Sequence, residues 1–270
     1  MKNAILTLED VAERAPSALT LTHDGKRSDR YTFVPSREII SRMADVGWGV
    51  SRAMAPKARK ENSREFGKHM LAFRQINAPG IPDPRQRVLT HGTPDDLKSA
   101  LIFPEILIIN SSNGASRFVL RAGLFCLICA NGAVISLSSF GEMSMRHSGF
   151  EAEDAYRISA EFINRMDKIG DSIQRFQSVN LTRERQLEYA TEAARIRWED
   201  NIPDANTLLM AQRGEDTGDD LWTVYNKVQE HVIRGGQKLG HRTSRELVNI
   251  DRNVDVNSRL WDLTEAYSAN

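Results

Sequence analysis

The chain contains, near its middle, the stretch Glu105-Ile106-Leu107-Ile108-Ile109, a run of isoleucine and leucine behind a single glutamate. A run without an alternating polar face is typical of a strand that is covered on both faces. Asn113-Gly114 follows it, and this dipeptide is the strongest short signal for a β-hairpin. We therefore predict a buried strand over 105–109, a turn over 110–116 and a returning strand over 117–121.

Three segments nearer the amino terminus are rich in residues that favour strands: Tyr31–Val34, Trp48–Met54 and Phe66–Arg74. Ser36 is predicted to cap a helix that stops at Gly47. On the other side of the central run, Asn131-Gly132 marks a second turn, and further strands are expected over 134–137 and 143–147. The predicted core of the β-rich part consists of Ile106, Ile108, Phe118, Leu120, Phe125, Cys126 and Ile128.

The hydrophobic period changes after Gly149. Apolar residues then recur at steps of three and four from Ala155 to Phe176, which predicts a long amphipathic helix. Further helices are predicted over 182–198, 219–234 and 257–267, the second of these opened by Asp219 and Asp220 and stopped by Gly235-Gly236. Strands first and helices after them predict an α+β fold, with a mostly antiparallel, β-rich amino-terminal and central part packed against a carboxy-terminal helical part.

The predicted domain organisation has three parts. Residues 1–28 carry one short helical pattern, Leu8–Arg14, and are expected to be a loosely held leader. Residues 29–150 form the β-rich part and residues 151–270 the helical part, and we expect the two to make one continuous globular unit. The segment 75–99 contains four prolines and is expected to be an exposed loop.

Composition limits the class of protein. The chain has 270 residues, of which 40% are hydrophobic and 27% charged, as in ordinary globular proteins. The longest apolar run, around 122–135, is shorter than the roughly 18–20 residues that a membrane span needs. The amino terminus lacks a signal-peptide pattern, and the chain has only two cysteines. We therefore predict a cytoplasmic protein that has no membrane partner and no disulfide scaffold.

Familiar catalytic and metal motifs are missing from the sequence. Cys126 and Cys129 have CxxC spacing, but no second pair completes a zinc site, and residues three apart in a strand point to opposite faces. Their flanks are apolar, which favours buried structural cysteines. The six histidines form no HExxH or HxH pattern, and neither a Walker-type loop nor a GxSxG elbow is present. We predict no metal and no cofactor.

Charge is distributed unevenly although the formal net charge is zero. Residues 26–74 carry 12 Lys/Arg against 5 Asp/Glu, whereas residues 151–230 carry 10 Lys/Arg against 17 Asp/Glu. The two parts could simply attract each other, or each could be a binding surface. Two basic segments are candidates for phosphate contact, since Lys and Arg release counterions from a phosphate backbone. Their residues are Arg52, Lys57, Arg59, Lys60, Arg64, Lys68, Arg74, Arg234, Lys238, Arg242 and Arg245, with His241 beside them. The alternative is an ordinary solvated surface.

Several motifs together resemble those of the uncharacterised YafZ/YfjQ/YubP-like protein family, whose members are found on plasmids, prophages and phages. The resemblance rests on Lys68-His69-Met70, Pro104-Glu105-Ile106 with Asn110-Ser111, Cys129-Ala130-Asn131-Gly132, Phe140-Gly141-Glu142 with His147, Leu221-Trp222 with Asn226 and Gln229-Glu230, Gly235-Gly236, Ile250-Asp251, Asn257 and Leu260-Trp261. It extends from about Tyr31 to the carboxy terminus. It implies a mobile-element setting and supplies no mechanism.

One hairpin departs from the family pattern. Relatives usually carry Asn-Ser-His-Asp-Gly there, whereas this chain has Asn110-Ser111-Ser112-Asn113-Gly114. A catalytic His–Asp pair would be lost and the turn kept, which favours a structural role or an inactive member. A candidate polar site nevertheless collects His69, Asn110, Asn131, His147, Asn226, Gln229 and Glu230. The last three share one helix face, where they could bind a ligand or fix a neighbouring helix.

Three functions are open at this stage. The first is an accessory in DNA transactions that binds or anneals single-stranded DNA. It rests on the basic segments, on the setting that the resemblance implies and on a β-then-α order similar to that of phage annealing proteins. Ring-shaped homo-oligomers would favour annealing. The second is an interaction or anti-defence protein whose acidic helical half binds a protein of the host or the element. The third, ranked last, is an enzyme with an unfamiliar site around His69 and His147, so the sequence favours a non-enzymatic protein.

Overall fold

The computed structural model describes residues 5–25, 33–56, 61–78, 80–82, 101–113, 118–126, 132–135, 151–212 and 214–269. The chain forms two compact units. Unit 1 comprises Met1–Gly80, Phe103–Leu124 and Gly141–Met166. Unit 2 comprises Ile81–Ile102, Phe125–Phe140 and Asp167–Asn270.

The amino-terminal segment is packed into unit 1. Helix α1 (Leu8–Arg14) begins with a capping box, in which the Thr7 side chain accepts from the Asp10 backbone N–H and the Asp10 side chain accepts from that of Thr7. A 3₁₀ turn, Pro16–Leu19, follows it. Val11, Ala15, Ser17 and Ala18 are all buried. Leu6 N–H donates to the carbonyl of Val50 at 2.7 Å, so this segment also covers part of a strand edge.

Helix α2 covers Ser36–Asp45. Its N-cap residue is Pro35, which makes no side-chain cap, so the prediction that Ser36 caps the helix is wrong. The Ser36 hydroxyl is buried and bonded elsewhere. Of the strand predicted over Tyr31–Val34, Phe33 and Val34 lie outside any strand, and 31–32 are outside the described residues. The helix ends before Gly47, as predicted, where φ is 84° and a side chain would be strained.

An antiparallel sheet follows. Its strands are β1 (Trp48–Met54), β2 (Lys68–Gln75), β3 (Ile81–Pro82), β4 (Leu101–Ser111), β5 (Val119–Cys126) and β6 (Gly132–Val134). Helix α3 (Glu61–Phe66) lies between β1 and β2 in the sequence. The strand order is β1-β2-β4-β5-β6, and β3 pairs with β4. Strand β1 pairs with β2, with a bulge between Val50 and Arg52, and β2 pairs with β4 through Phe73–Ile106 and Met70–Ile109.

The central run is buried, as its composition predicts. Ile106 and Ile108 have no exposed surface and Leu120 is 4% exposed. Phe118 is half-buried and precedes β5, so its expected core position is wrong. The side chains of Phe125, Cys126 and Ile128 are outside the described residues, as are Gly114 of the predicted turn, the 143–147 segment and most of the 75–99 loop.

From residue 151 onward the described chain is mostly helical, with α4 (Ala152–Ser178), α5 (Arg183–Trp198), α6 (Ala205–Leu208), α7 (Leu221–Arg234) and α8 (Ile250–Ser268). Thr182 and Asp220 cap α5 and α7 through their side chains. Between α7 and α8 lies a two-stranded hairpin, β7 (Lys238–Leu239) and β8 (Arg242–Thr243). The α+β prediction is confirmed.

Each unit has its own aromatic core. In unit 1, the ring of Trp48 packs edge-on against Phe162, and its Nε1–H donates to Ser159 Oγ at 2.6 Å. In unit 2, Trp261 lies edge-on to both Phe176 and Tyr225. Edge-to-face pairs of this kind add about 0.5–1.5 kcal/mol beyond the buried area. Among the described helices, none combines the length and the hydropathy that crossing a membrane requires.

Candidate functional site

A buried carboxylate lies at the centre of unit 1. Glu105 on β4 has no exposed surface. One of its oxygens accepts from the Ser51 hydroxyl at 2.7 Å and from Arg74 at 2.8 Å. The other accepts from Arg52 Nε at 3.0 Å and from its Nη2 at 2.6 Å. Arg74 also stacks on Phe103, 4.2 Å from the ring centroid. We call these four residues the Glu105 cluster: Ser51, Arg52, Arg74 and Glu105.

The Glu105 cluster is held as an ionised group. Burial raises the pKa of the Glu105 carboxyl, but the positive charges of Arg52 and Arg74 outweigh burial, and the pKa lies below its usual value. A buried charge that is paired and fully hydrogen-bonded is tolerated, whereas a partnerless one is very costly. The cluster therefore ties β1, β2 and β4 together and uses the charges of two of the predicted DNA-binding arginines.

A second buried group surrounds His69, which has no exposed surface. Its Nε2 lies 2.8 Å from Ser36 Oγ and its Nδ1 lies 3.1 Å from Ser17 Oγ and 3.3 Å from the Gly67 carbonyl. Asn110 Nδ2 donates to Ser36 Oγ at 2.9 Å and to the Val34 carbonyl at 2.8 Å. The pattern assigns a neutral ring that donates from Nδ1 and accepts the Ser36 hydroxyl at Nε2. We call this set the His69 network: Ser17, Ser36, His69 and Asn110.

The His69 network joins four parts of unit 1: the 3₁₀ turn, α2, β2 and β4. Burial lowers the pKa of His69 to about 4, although the hydrogen bond to the Gly67 carbonyl acts in the opposite direction. Ser36 and His69 have the spacing of a nucleophile and its base, yet Ser36 is only 2% exposed. A general base is most effective with a pKa near the working pH. The geometry therefore favours a structural role for this pair.

The polar face of α7 in unit 2 is also buried. Gln229 Nε2 donates to Asn257 Oδ1 at 2.9 Å and to the Gly132 carbonyl at 3.3 Å, and Asn257 donates in turn to Asn253. Asn226 donates to the Trp222 carbonyl of its own helix at 2.7 Å. Gln229 supports the alternative in which this face fixes neighbouring elements, since its hydrogen bonds join α7 to α8 and to β6, whereas Asn226 bonds only within its own helix.

An exposed basic hairpin follows the end of α7. We define the basic hairpin as residues 234–246, which carry four Lys/Arg and one acid, so that the formal charge is +3 with His241 neutral. Lys238, His241, Arg242 and Arg245 are all exposed. Arg234 is paired with Glu230 at 2.8 Å. Across the described residues, no carboxylate forms an ion pair with the other three cations of the hairpin.

A buried arginine holds the basic hairpin in place. Arg197 on α5 is 7% exposed and donates to the carbonyls of Val232 and Arg245, and to that of Ile233 at 3.3 Å. Two of these carbonyls belong to the last turn of α7, where a cation offsets the negative end of the helix dipole. The third belongs to the returning side of the hairpin. Arg197 thereby fastens the hairpin to α7 and offsets the local negative potential.

The remaining predicted residues are placed as follows. Arg64 is exposed on α3, and Lys68 is half-buried at the start of β2. Lys57, Arg59, Lys60, Asn131 and His147 lie outside the described residues. The sequence analysis assigned no role to Ser17, Ser51 or Arg197, and it assigned Ser36 only the role of a helix cap. Glu105 carried a signal that could have been used, because a carboxylate inside an apolar strand requires a buried partner.

The metal prediction concerns residues of which only part is described. Within the ranges that the structure describes, no group of three or more His, Cys, Asp or Glu side chains is arranged to hold a metal ion. Cys126 ends β5, and Cys129 lies outside those ranges, so the state of the CxxC segment stays a prediction.

Fold and polar groups together define an α+β protein with two internal polar networks in unit 1 and one exposed basic hairpin in unit 2. The model of a family described as "Domain of unknown function (DUF932)" matches residues 24–261, and the chain belongs to this family. It is 30% identical over 271 residues to the UPF0380 protein YafZ of Escherichia coli K12, covering 97% of this chain and 91% of that protein. It is 28% identical to the UPF0380 protein YfjQ of the same strain, covering 96% and 90%. No solved structure matches the chain.

Proposed function

We propose that this chain binds nucleic acid as an accessory in DNA transactions of a mobile element, and that the basic hairpin is its phosphate-contacting element. The observation that carries the proposal is the exposure of Lys238, Arg242 and Arg245 on one short ribbon. Such cations release counterions when they meet a phosphate backbone. Single-stranded DNA, bound or annealed, is the form favoured by the sequence analysis, so it is the first ligand to test.

The first basic segment contributes less to this proposal than its composition suggested. The Arg74 side chain is 5% exposed and that of Arg52 is 21% exposed, and both donate to Glu105. A guanidinium that neutralises a buried carboxylate adds little net charge to the surface. Arg64 remains exposed on α3 of unit 1, where it is available for a phosphate contact of its own.

The test is the salt dependence of binding to a fluorescently labelled single strand, measured by anisotropy. If the four Lys/Arg of the hairpin each neutralise one phosphate, log K should fall with log salt with a slope of about −3. Replacing Lys238, Arg242 and Arg245 together by alanine should flatten the slope by about 2 and weaken all sequences alike.

A matched control removes the same charge elsewhere. Arg37, Arg42 and Lys168 are exposed helical residues outside the hairpin, and their triple alanine variant should keep the slope of the parent chain. Equal losses in both triple variants would assign the binding to net charge alone. A parent chain without salt-dependent binding to DNA or RNA would overturn the proposal.

The second candidate, a protein-binding surface on the acidic helical half, is favoured by one observation. Glu184, Glu188 and Glu192 are exposed in line on α5, beside a shallow depression of about 420 Å³ that Leu187 and Arg195 also line. A lysine-rich peptide is a direct probe of this stripe. Binding measured by calorimetry should disappear when the three glutamates become glutamine, and a parent chain that ignores the peptide would remove this candidate.

A further inference from the structure

The basic hairpin carries cations on both of its faces. Lys238 pairs with Thr243, and Leu239 pairs with Arg242. Directly opposed residues of two antiparallel strands share a face, and successive residues alternate between faces. Lys238 and Arg242 therefore point to opposite sides of the ribbon, and both are exposed.

The ribbon is narrow and firmly held. Gly236 N–H donates to the Ser244 carbonyl and Ser244 N–H to the Gln237 carbonyl, both at 2.8 Å. Gln237 N–H also donates to Ser244 Oγ at 2.9 Å. The tip is Gly240-His241, where Gly240 has φ 60° and a Cβ would meet nothing within 4 Å. With Arg197 at its base, the hairpin is organised before any ligand arrives.

A single strand suits this arrangement poorly. It presents one phosphate backbone, so it can engage only one face of a thin ribbon at a time. Single-strand binding also draws on aromatic side chains that stack on bases, and residues 234–249 contain no Phe, Tyr or Trp. A duplex groove has a phosphate wall on each side, and the major groove of B-DNA, about 12 Å wide, admits a two-stranded ribbon.

We infer that the basic hairpin enters the major groove of duplex DNA, with Lys238 contacting one phosphate wall and Arg242 the other. This inference rests on the proposed function and specifies the form of nucleic acid that the hairpin takes. Arg234 and Arg245, at the base of the ribbon, lie where the groove opens. Contacts to phosphates position a protein without selecting a sequence, so the binding is independent of base composition.

The experiment compares one oligonucleotide as a single strand and as a duplex at equal salt. The duplex should bind at least tenfold more tightly. Lys238→Ala and Arg242→Ala should each weaken duplex binding several-fold and flatten its salt slope by about 0.9. Thr243→Ala is the matched control, because it shares the face of Lys238 without a charge, and it should bind like the parent chain.

A modified duplex separates the groove from the outer backbone. Bulky substituents at the cytosine C5 position project into the major groove, so a duplex that carries them should bind more weakly than a plain one. Tighter binding of the single strand, an effect of only one of the two alanine variants, or indifference to the substituent would each overturn groove entry while leaving nucleic-acid binding standing. Failure to bind either form would overturn the proposed function itself.

Discussion

The two basic segments of this chain differ in whether their cations are paired inside the protein or exposed on its surface. In unit 1, Arg52 and Arg74 turn inward and meet the buried carboxylate of Glu105. In unit 2, Lys238 and Arg242 stay exposed on a hairpin that a buried arginine secures. The number of cations in a segment therefore says little about a surface until their carboxylate partners are known. Four changes probe this contrast, from the largest expected effect to the smallest.

The largest effect is expected from Glu105→Gln. The change keeps the side chain's size but leaves the guanidinium groups of Arg52 and Arg74 without their anion. Breaking a buried ion pair by removing one partner costs about 3–5 kcal/mol, and denaturant unfolding should show a loss in that range. Glu161→Gln is the control, since its pair with Arg165 is more exposed, at 24% and 27%, and it should cost less than about 1 kcal/mol. Similar losses of unfolding free energy in the two variants would contradict the conclusion that the Glu105 cluster stabilises the fold more than an exposed ion pair does.

The second effect is a dependence of stability on pH that originates in His69. In the unfolded chain this histidine binds a proton below about pH 6.5, but in the folded chain its pKa is lowered to about 4. The unfolded state then holds more protons between these values, so the free energy of unfolding falls as the pH is lowered from 6.5 to 4. The full loss is about 3 kcal/mol, of which about 2 kcal/mol falls between pH 7 and pH 5.

The measurement is urea unfolding of the parent chain and of His69→Gln at pH 7 and pH 5. The variant should lose most of this difference, whatever its stability at pH 7. The Glu105 pKa is also lowered, so its contribution is present above the usual carboxyl pKa and is lost only at lower pH, outside the window. An unchanged pH dependence in His69→Gln would exclude the buried, neutral imidazole.

A smaller effect is expected from Arg197→Lys. Lysine keeps the charge, but a single ammonium cannot reach the three carbonyls of Val232, Ile233 and Arg245 in the way the planar guanidinium does. The expected loss of stability is about 1–2 kcal/mol, and limited trypsin digestion should become faster at Lys238 and Arg242. Arg195→Lys, an exposed change on the same helix, should alter neither readout.

The smallest effect on stability is expected from the triple alanine change of Lys238, Arg242 and Arg245. Exposed side chains away from caps and networks usually change stability by less than about 0.5 kcal/mol. The melting temperature should therefore stay close to that of the parent chain, while nucleic-acid binding is weakened. A large drop in melting temperature would mean that these cations support the fold, in the manner of Arg52 and Arg74.

Local periodicity predicted much of the architecture. Strand β1 matches its predicted range, and the helix predicted over 182–198 is observed over Arg183–Trp198 behind a Thr182 cap. The start of α8 was placed seven residues late, at Asn257 instead of Ile250. Its first turn contains the polar residues Asp251, Arg252 and Asn253, so the apolar periodicity is not visible there. Asn249 is the cap that could have marked the true start.

The polar networks could not be predicted from local patterns, because their members are far apart in the sequence. Ser17 and His69 are 52 positions apart, and Arg52 and Glu105 are 53 apart. Nothing in a neighbouring residue indicates that Ser36 will bond to an imidazole instead of capping its helix. The arginine pattern was equally ambiguous, since Arg197 lies in a helix rich in alanine and charge, yet it is the buried anchor of the hairpin.

The packing of the amino-terminal segment sets an order of events during synthesis. Ile5 lies so close to Gly49 that a Cβ there would be 2.4 Å from its Cγ2. Leu6 therefore cannot form its hydrogen bond to Val50 until β1 has been translated. Ser17 cannot bond to His69 until the later strand β2 has also been made. Chains are made from the amino terminus, so Ser17 leaves the ribosome 52 residues ahead of its partner His69. A nascent chain that stalls before Glu105 lacks the buried carboxylate that Arg52 and Arg74 share in the folded protein.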